Sequence, residues 1–315
     1  MVTTTVLSTN EMIEMLTLVE EAARSTEEGV KHFIEPAPGT LRRATNKRHH
    51  IVFGRRGSGK SSLLRKAAAD LTIDRRPIAY VNLEAFKGHS YPDVLISVLI
   101  KTLREFELWL NSAAIYPTTK KSFWQKLFGS IPTRPSFNKR ETENLSLRLK
   151  TKIAALETEL HRMDDAQLTM KTGSKKDEKD SISGKVKSGA MGSSAEVGAQ
   201  KEVTQTDNRE LEERYTRSKT DLLHRNILEY QQLFRDLGKL SSGDSYLFLD
   251  DLYHIRRSDQ ANVVDYFHRI AKDHNLWLKI GSIRHRTRWY IHGDPPIGVK
   301  IGDDTDEIDL ELIRK

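Results

Sequence analysis

Residues 54–61 read Gly54-Arg55-Arg56-Gly57-Ser58-Gly59-Lys60-Ser61, a G-x-x-x-x-G-K-S spacing placed directly after the apolar run Ile51-Val52-Phe53. Glycines at these positions let consecutive backbone N–H groups curl toward one anion. A lysine in the seventh place can reach β- and γ-phosphates, and the hydroxyl after it can ligate Mg²⁺. The candidate ligand is therefore ATP with Mg²⁺, contacted by Gly54, Arg55, Arg56, Gly57, Ser58, Gly59, Lys60, Ser61 and Ser62. The competing reading, a glycine-rich turn, gives no reason for the strand before the loop or for the helical pattern that follows in residues 61–69.

A second chemical signal is the carboxylate pair Asp250-Asp251, which ends the apolar run Tyr246-Leu247-Phe248-Leu249. At the end of a strand beside a phosphate loop, Asp250 is expected to share Mg²⁺ with Ser61. Asp251 is expected to orient or deprotonate an attacking water. Solvated strand-end acids are the alternative. Asn82 and Glu84 close another strand, where they can either hydrogen-bond the water-activating acid or cap a turn before Gly88. Ser282 and Arg284 end a further strand, and Arg284 is a candidate for stabilising charge on the transferred phosphate or, alternatively, a surface arginine. Arg286 and Arg288 could reach a neighbouring subunit. His254, His285 and His292 have no ligand-like spacing with carboxylates, so no metal beyond Mg²⁺ is expected.

These residues require an alternating scaffold. Residues 77–83, 246–251, 276–283 and 308–313 read as strands, and residues 91–110 and 260–274 as helices, which is the pattern of a mostly parallel sheet. The expected fold class is α/β, with three α/β/α layers of the P-loop NTPase kind and an inserted helical arm. Residues 1–39 form an N-terminal helix (10–34) and linker, 40–110 the first part of the core, 111–214 an insertion, and 215–315 the second part. Within and beside the insertion, Leu145, Leu149, Ile153, Leu156, Leu160 and Met163, and later Leu223, Ile227, Tyr230, Phe234 and Leu237, recur at three- and four-residue steps. They predict either an antiparallel coiled-coil hairpin or helices packed on the core. Residues 171–208, rich in Gly, Ser and Lys, predict a flexible tip.

Composition bounds the partners. The chain has 315 residues, no cysteine and a net charge of +7, which excludes disulfides, zinc–thiolate sites and thiol catalysis. No apolar run approaches a membrane span and the N-terminus lacks a signal-peptide pattern, so a cytoplasmic protein without membrane contact is expected. Basic clusters at Arg42-Arg43, Lys47-Arg48, Arg55-Arg56, Arg75-Arg76, Arg256-Arg257 and Arg284–Arg288 suit DNA or, alternatively, solvated surface. Leu240–Asp244 has the composition of an ABC-type signature, but it lies too close to the carboxylate strand to open a helix there.

With residues 54–62, 246–251 and 276–284 in this order, the chain resembles AAA+-related ATPases of the replication-initiator (origin-recognition) type and the nearby STAND group, whose bacterial members often serve defence systems. The resemblance covers roughly residues 35–110 and 215–315. It implies ATP-driven conformational change, often with homo-oligomerisation. It further implies that Lys60 and Ser61 hold phosphate and Mg²⁺, that Asp250 holds Mg²⁺, that Asp251 is the catalytic acid, and that Ser282 or Arg284 is the first sensor. The insertion has no counterpart in the minimal initiator fold, and the helical lid that the resemblance implies has none in these residues. Two rival readings are a non-hydrolysing ATP-dependent scaffold and a coiled-coil DNA-structural ATPase. The inserted arm is the candidate contact for a protein partner.

Overall fold

The computed structural model describes residues 33–73, 75–115, 137–182, 213–241 and 243–311. They divide into two compact units, one of residues 1–150 and 227–315 and the other of residues 151–226.

In the first unit, α1 (Thr40–Thr45) leads to β1 (His50–Phe53), α2 (Lys60–Ile73), β2 (Ile78–Asn82) and α3 (Asp93–Ile115). After α4 (Lys139–Ile182) and α5 (residues 213–225), the chain returns through α6 (Ile227–Lys239), β3 (Ser245–Asp250), α7 (Gln260–Ala271) and β4 (Leu276–Ser282). A two-stranded antiparallel hairpin, β5 (Tyr290–Ile291) and β6 (Ile297–Gly298), precedes the last strand, β7 (Asp306–Asp309). The main sheet has the order β2-β3-β4-β1-β7 and every pairing is parallel. All five C-terminal ends therefore lie along one edge, where a ligand crevice forms in open parallel sheets.

Every residue of β1 and β3 is buried, the expected result for central parallel strands covered on both faces. Side chains alternate across the sheet. Val52, Tyr246, Phe248 and Ile308 pack with Ala44 of α1 and with Leu63, Leu64, Ala67 and Leu71 of α2. The intervening Ile51, Leu247 and Leu249 are equally buried, and α3, α6 and α7 pack on β2, β3 and β4. The architecture is α/β with a five-stranded parallel sheet, compatible with three layers. Among the described residues, no helix is long and apolar enough to cross a membrane.

The periodic apolar residues divide between the units. Leu145, Leu149, Tyr230, Phe234 and Leu237 are buried in the first, with the rings of Phe106 and Phe234 5.3 Å apart and Arg148 bonded to Asp236 at 2.8 Å. Ile153, Leu156 and Leu223 are buried in the second. There Lys152 Nζ donates to Asn226 Oδ1 at 3.1 Å, Ser218 Oγ to Glu159 Oε1 at 3.2 Å and Lys219 Nζ to the Leu160 carbonyl at 3.3 Å. Between residues 152 and 160 of α4 the partner number falls from 226 to 219, so α4 and α5 run antiparallel in this stretch.

The structure adds to or differs from the expectations at three points. Residues 171–182, expected to open the tip, continue α4 as helix to Ile182; residues 183–208 lie outside the described residues, as do residues 10–32 of the expected N-terminal helix. The last strand is Asp306–Asp309 rather than 308–313. As an edge strand it tolerates acids, and Arg48 binds Asp306 at 2.8 Å while Arg284 binds Glu307 and Asp309. The β5–β6 hairpin was not anticipated, although Gly293-Asp294-Pro295-Pro296 is a strong turn signal. It packs on α7, and the Gly298 N–H donates to Asp265 Oδ1 at 3.1 Å.

Candidate functional site

The loop between β1 and α2 is shaped by its glycines. Gly57 and Gly59 hold φ of 79° and 91°, in the left-handed region that disfavours a Cβ. At Gly54 a Cβ would collide with the Ser58 hydroxyl. The Ser58 N–H returns to the Arg55 carbonyl at 3.1 Å, and the Leu63 N–H to Gly59 at 2.8 Å. The N–H groups of the first turn of α2 have no acceptor within the helix. No acidic side chain occupies that turn, so the positive end of the helix dipole is left for an outside anion. Ser58 Oγ is buried with no hydrogen-bond partner.

Lys60 is 5% exposed and donates from Nζ to the Arg55 carbonyl at 3.2 Å. Burial lowers its pKa below the usual lysine value, opposed by the carboxylates of Asp251, Asp250 and Glu311. The structure thus brings Lys60 together with both acids of the β3 end. Glu311 is itself reached by Arg55, with Nε 3.3 Å from Oε2.

Asp250 is 2% exposed and fixed on two sides. Its Oδ2 accepts from the Tyr80 hydroxyl at 2.6 Å and its Oδ1 from the Asp251 N–H at 2.9 Å. The parallel register sets Asn82 opposite Asp250 and Leu249 opposite Ile280, so Gly281 comes level with Asp250. A Cβ on Gly281 would collide with Asp250 Oδ1 and with Leu64. Asp251 sits in the left-handed region, φ 59° and ψ 46°. Burial and the neighbouring Asp250 raise its pKa above the carboxylate norm, against the lowering influence of Lys60, His254 and a Tyr253 hydrogen bond. In turn, burial and Asp251 push the Tyr253 phenol up to about 12. A carboxyl so raised is suited to accept a proton.

Other expected residues lie apart from this group. Asn82 Oδ1 accepts the Glu84 N–H at 2.9 Å and caps the short helical turn Leu83–Phe86. Glu84 lies 3.9 Å from His254 Nε2. Ser282 Oγ bonds the Thr287 hydroxyl in full burial. Arg284 has its guanidinium 4.2 Å from the centre of the Phe53 ring and 2.9 Å from both Glu307 Oε2 and Asp309 Oδ2. Its direct partners are thus the β7 acids rather than Asp250 or Asp251. Ser61 and Ser62, by contrast, open α2 directly beside Lys60, and Arg55 and Arg56 are exposed on the loop.

Tyr80, Gly281, Tyr253 and Glu311 were not anticipated. A lone glycine inside a strand, at 281, is a sign of close backbone approach; the other three reach the site through pairing and turns that leave no local mark. A cavity of about 510 Å³, lined by Glu35, Leu41, Arg42, Thr45, Asp70 and Arg76, lies at α1 and the end of α2 and shares no residue with this group. No known protein-family model, curated protein or solved structure matches the chain.

Proposed function

We propose that residues 54–61 form a phosphate-binding P-loop and that the chain is a cytoplasmic ATPase coupling ATP binding and hydrolysis to conformational change or assembly. The observation that carries this reading is the convergence of buried Lys60, at the head of α2, on Asp250 and Asp251 across the sheet edge. The unpartnered Ser58 hydroxyl and the glycine-shaped cradle support an oxyanion ligand there. Ser61 and, through water, Asp250 would hold Mg²⁺, which supplies charge neutralisation on the phosphoryl oxygens. Lys60 then draws charge from the β- and γ-phosphates, and Asp251 takes the proton from the attacking water. Tyr80 keeps Asp250 in place.

The AAA+/STAND resemblance, on the same motifs, favours a switch that acts through a second copy of the chain or a protein partner. The antiparallel pairing of α4 and α5 supports a helical arm as the place where such a partner docks.

The test is ATP binding and phosphate release by the full chain, with Mg²⁺, beside Lys60→Ala and Asp251→Asn. Wild type binds and releases phosphate, and Lys60→Ala loses both. Asp251→Asn keeps binding while release falls by about 10²-fold or more, the usual contribution of a general base. Wild type that fails to bind ATP would sink the reading. Binding with release unchanged in Asp251→Asn would remove that acid from the reaction and favour an ATP-dependent scaffold.

A further inference from the structure

Arginines gather along the same edge of the sheet without entering the site. Arg256 and Arg257 follow β3, Arg286 and Arg288 follow β4, and all four are exposed. They are held together by one buried residue. Gln260, 1% exposed, donates from Nε2 to the Ile255 carbonyl at 2.9 Å and to the Arg286 carbonyl at 3.4 Å. Its Oε1 accepts the Arg288 N–H at 2.7 Å. The side chain at the first position of α7 thus ties the backbone that carries Arg286 and Arg288 to the residue just before Arg256 and Arg257. A buried amide that satisfies three backbone groups is a built support, and it fixes two arginine pairs beside each other.

The charges are not consumed locally. Arg256 donates to the Gly88 carbonyl at 2.8 Å, which leaves its charge uncompensated. Arg257, Arg286 and Arg288 make no ion pair among the described residues. The nearest acid in sequence, Asp259, is engaged by the Tyr91 N–H and the Ser258 hydroxyl. Elsewhere on the chain arginines meet carboxylates, as in Arg48–Asp306 and Arg148–Asp236. Neighbouring aromatics have ring partners of their own: Trp289 is tilted against Phe53 with ring centroids 5.1 Å apart, and Tyr290 meets His292 edge to face at 4.8 Å. The surface therefore offers guanidinium groups to phosphates rather than rings to unstacked bases, which favours a duplex over a single strand.

We infer that the surface of Arg256, Arg257, Arg286 and Arg288, clamped by Gln260, binds the phosphate backbone of duplex DNA without reading its sequence. This is separate from the proposed ATP site, and its test needs no nucleotide. Anisotropy of a fluorescein-labelled 30-base-pair duplex is measured with the full chain between about 50 and 200 mM salt, the range in which such contacts dissolve. Compared with wild type are the triple variant Arg257→Ala/Arg286→Ala/Arg288→Ala and a control with equal charge loss elsewhere, Arg42→Ala/Arg140→Ala/Lys272→Ala. All six side chains are exposed, so neither variant removes a buried side chain.

Each phosphate contact adds about 0.9 to the slope of log affinity against log salt. The arginine variant is expected to lose about 2–3 of that slope and at least about tenfold in affinity at low salt, with the control near wild type. Equal losses in both variants, or wild-type binding without salt dependence, overturn the inference. So does unchanged DNA binding joined to a loss of phosphate release that grows with protein concentration, because the arginines then serve a second copy's phosphates. Lys60→Ala keeps wild-type DNA binding, so failure of the ATPase reading leaves a different trace.

Discussion

Gly281 shows how a residue without a side chain shapes the candidate site. It stands level with Asp250 on the adjoining strand, and the space its missing Cβ leaves is filled by Asp250 Oδ1 and Leu64. Gly281→Ala therefore forces the carboxylate away from the Tyr80 hydroxyl or pushes Leu64 out of the core. We expect a stability loss of about 1–3 kcal/mol, the usual cost of overpacking. Phosphate release should fall while nucleotide binding through residues 54–61 persists. Chemical denaturation together with a release assay checks this, and a variant with wild-type release would separate Asp250 from the chemistry. The glycine-shaped turn of residues 54–61 between β1 and α2 was legible because its spacing is contiguous in the chain. Asp250 and Asp251 were legible because they end an apolar run. Tyr80 was not, since its bond to Asp250 depends on which strands pair and in what register.

At the scale of elements, the sheet is secured at its opposite, N-terminal edge by a cluster of bases. Lys279, fully buried on β4, donates from Nζ to the carbonyls of Asn46 at 2.8 Å and Arg48 at 2.7 Å, and lies 3.0 Å from His50 Nδ1. The two carbonyls accept from the ammonium, and burial pulls its pKa down to about 7. His49 Nδ1 accepts the Leu278 N–H at 3.1 Å, so β1 and β4 are joined by side chains as well as by their ladder. Burial, with Lys279 nearby, lowers His49 to about 4 and His50 to about 3. The folded state therefore resists protons that the unfolded chain accepts below pH 6.5. The contribution of these two histidines to stability is full above pH 6.5 and declines as pH falls through the window toward about 4 and about 3. At pH 5 the loss is on the order of 2–4 kcal/mol. His49→Asn keeps an acceptor for Leu278 and removes one titration, so its urea midpoint should drop less between pH 7 and pH 5 than that of wild type. Equal drops would place the acid sensitivity elsewhere. Strands β1 to β4 were legible as short apolar runs, whereas β7 was placed two residues late, at 308–313, because an acidic edge strand lacks the apolar alternation that marks a strand's start.

For the whole molecule, periodicity in the sequence identified apolar helices but not their allegiance. Leu145, Leu149, Tyr230 and Phe234 follow the same three- and four-residue steps as Ile153, Leu156 and Leu223, yet the first set is buried in the unit with the sheet and the second in the other. Spacing encodes a buried stripe and says nothing of what covers it. The division predicts that the sheet unit is self-sufficient. It contains all five parallel strands, residues 54–61, Asp250 and Asp251. Within the other unit, Lys152 and Asn226 are joined at 3.1 Å, so the points where the chain leaves and returns are close. Replacing residues 151–226 with a short Gly-Ser linker shortens the loop to be closed, and closure entropy then favours the folded chain slightly. The shortened protein should unfold in one cooperative step, keep wild-type affinity for ATP, and retain basal phosphate release. Calorimetry and nucleotide titration decide it. Loss of cooperative folding would mean that the second unit completes the core, whereas intact folding with lost binding would give the helices of residues 151–226 a direct part in holding the nucleotide.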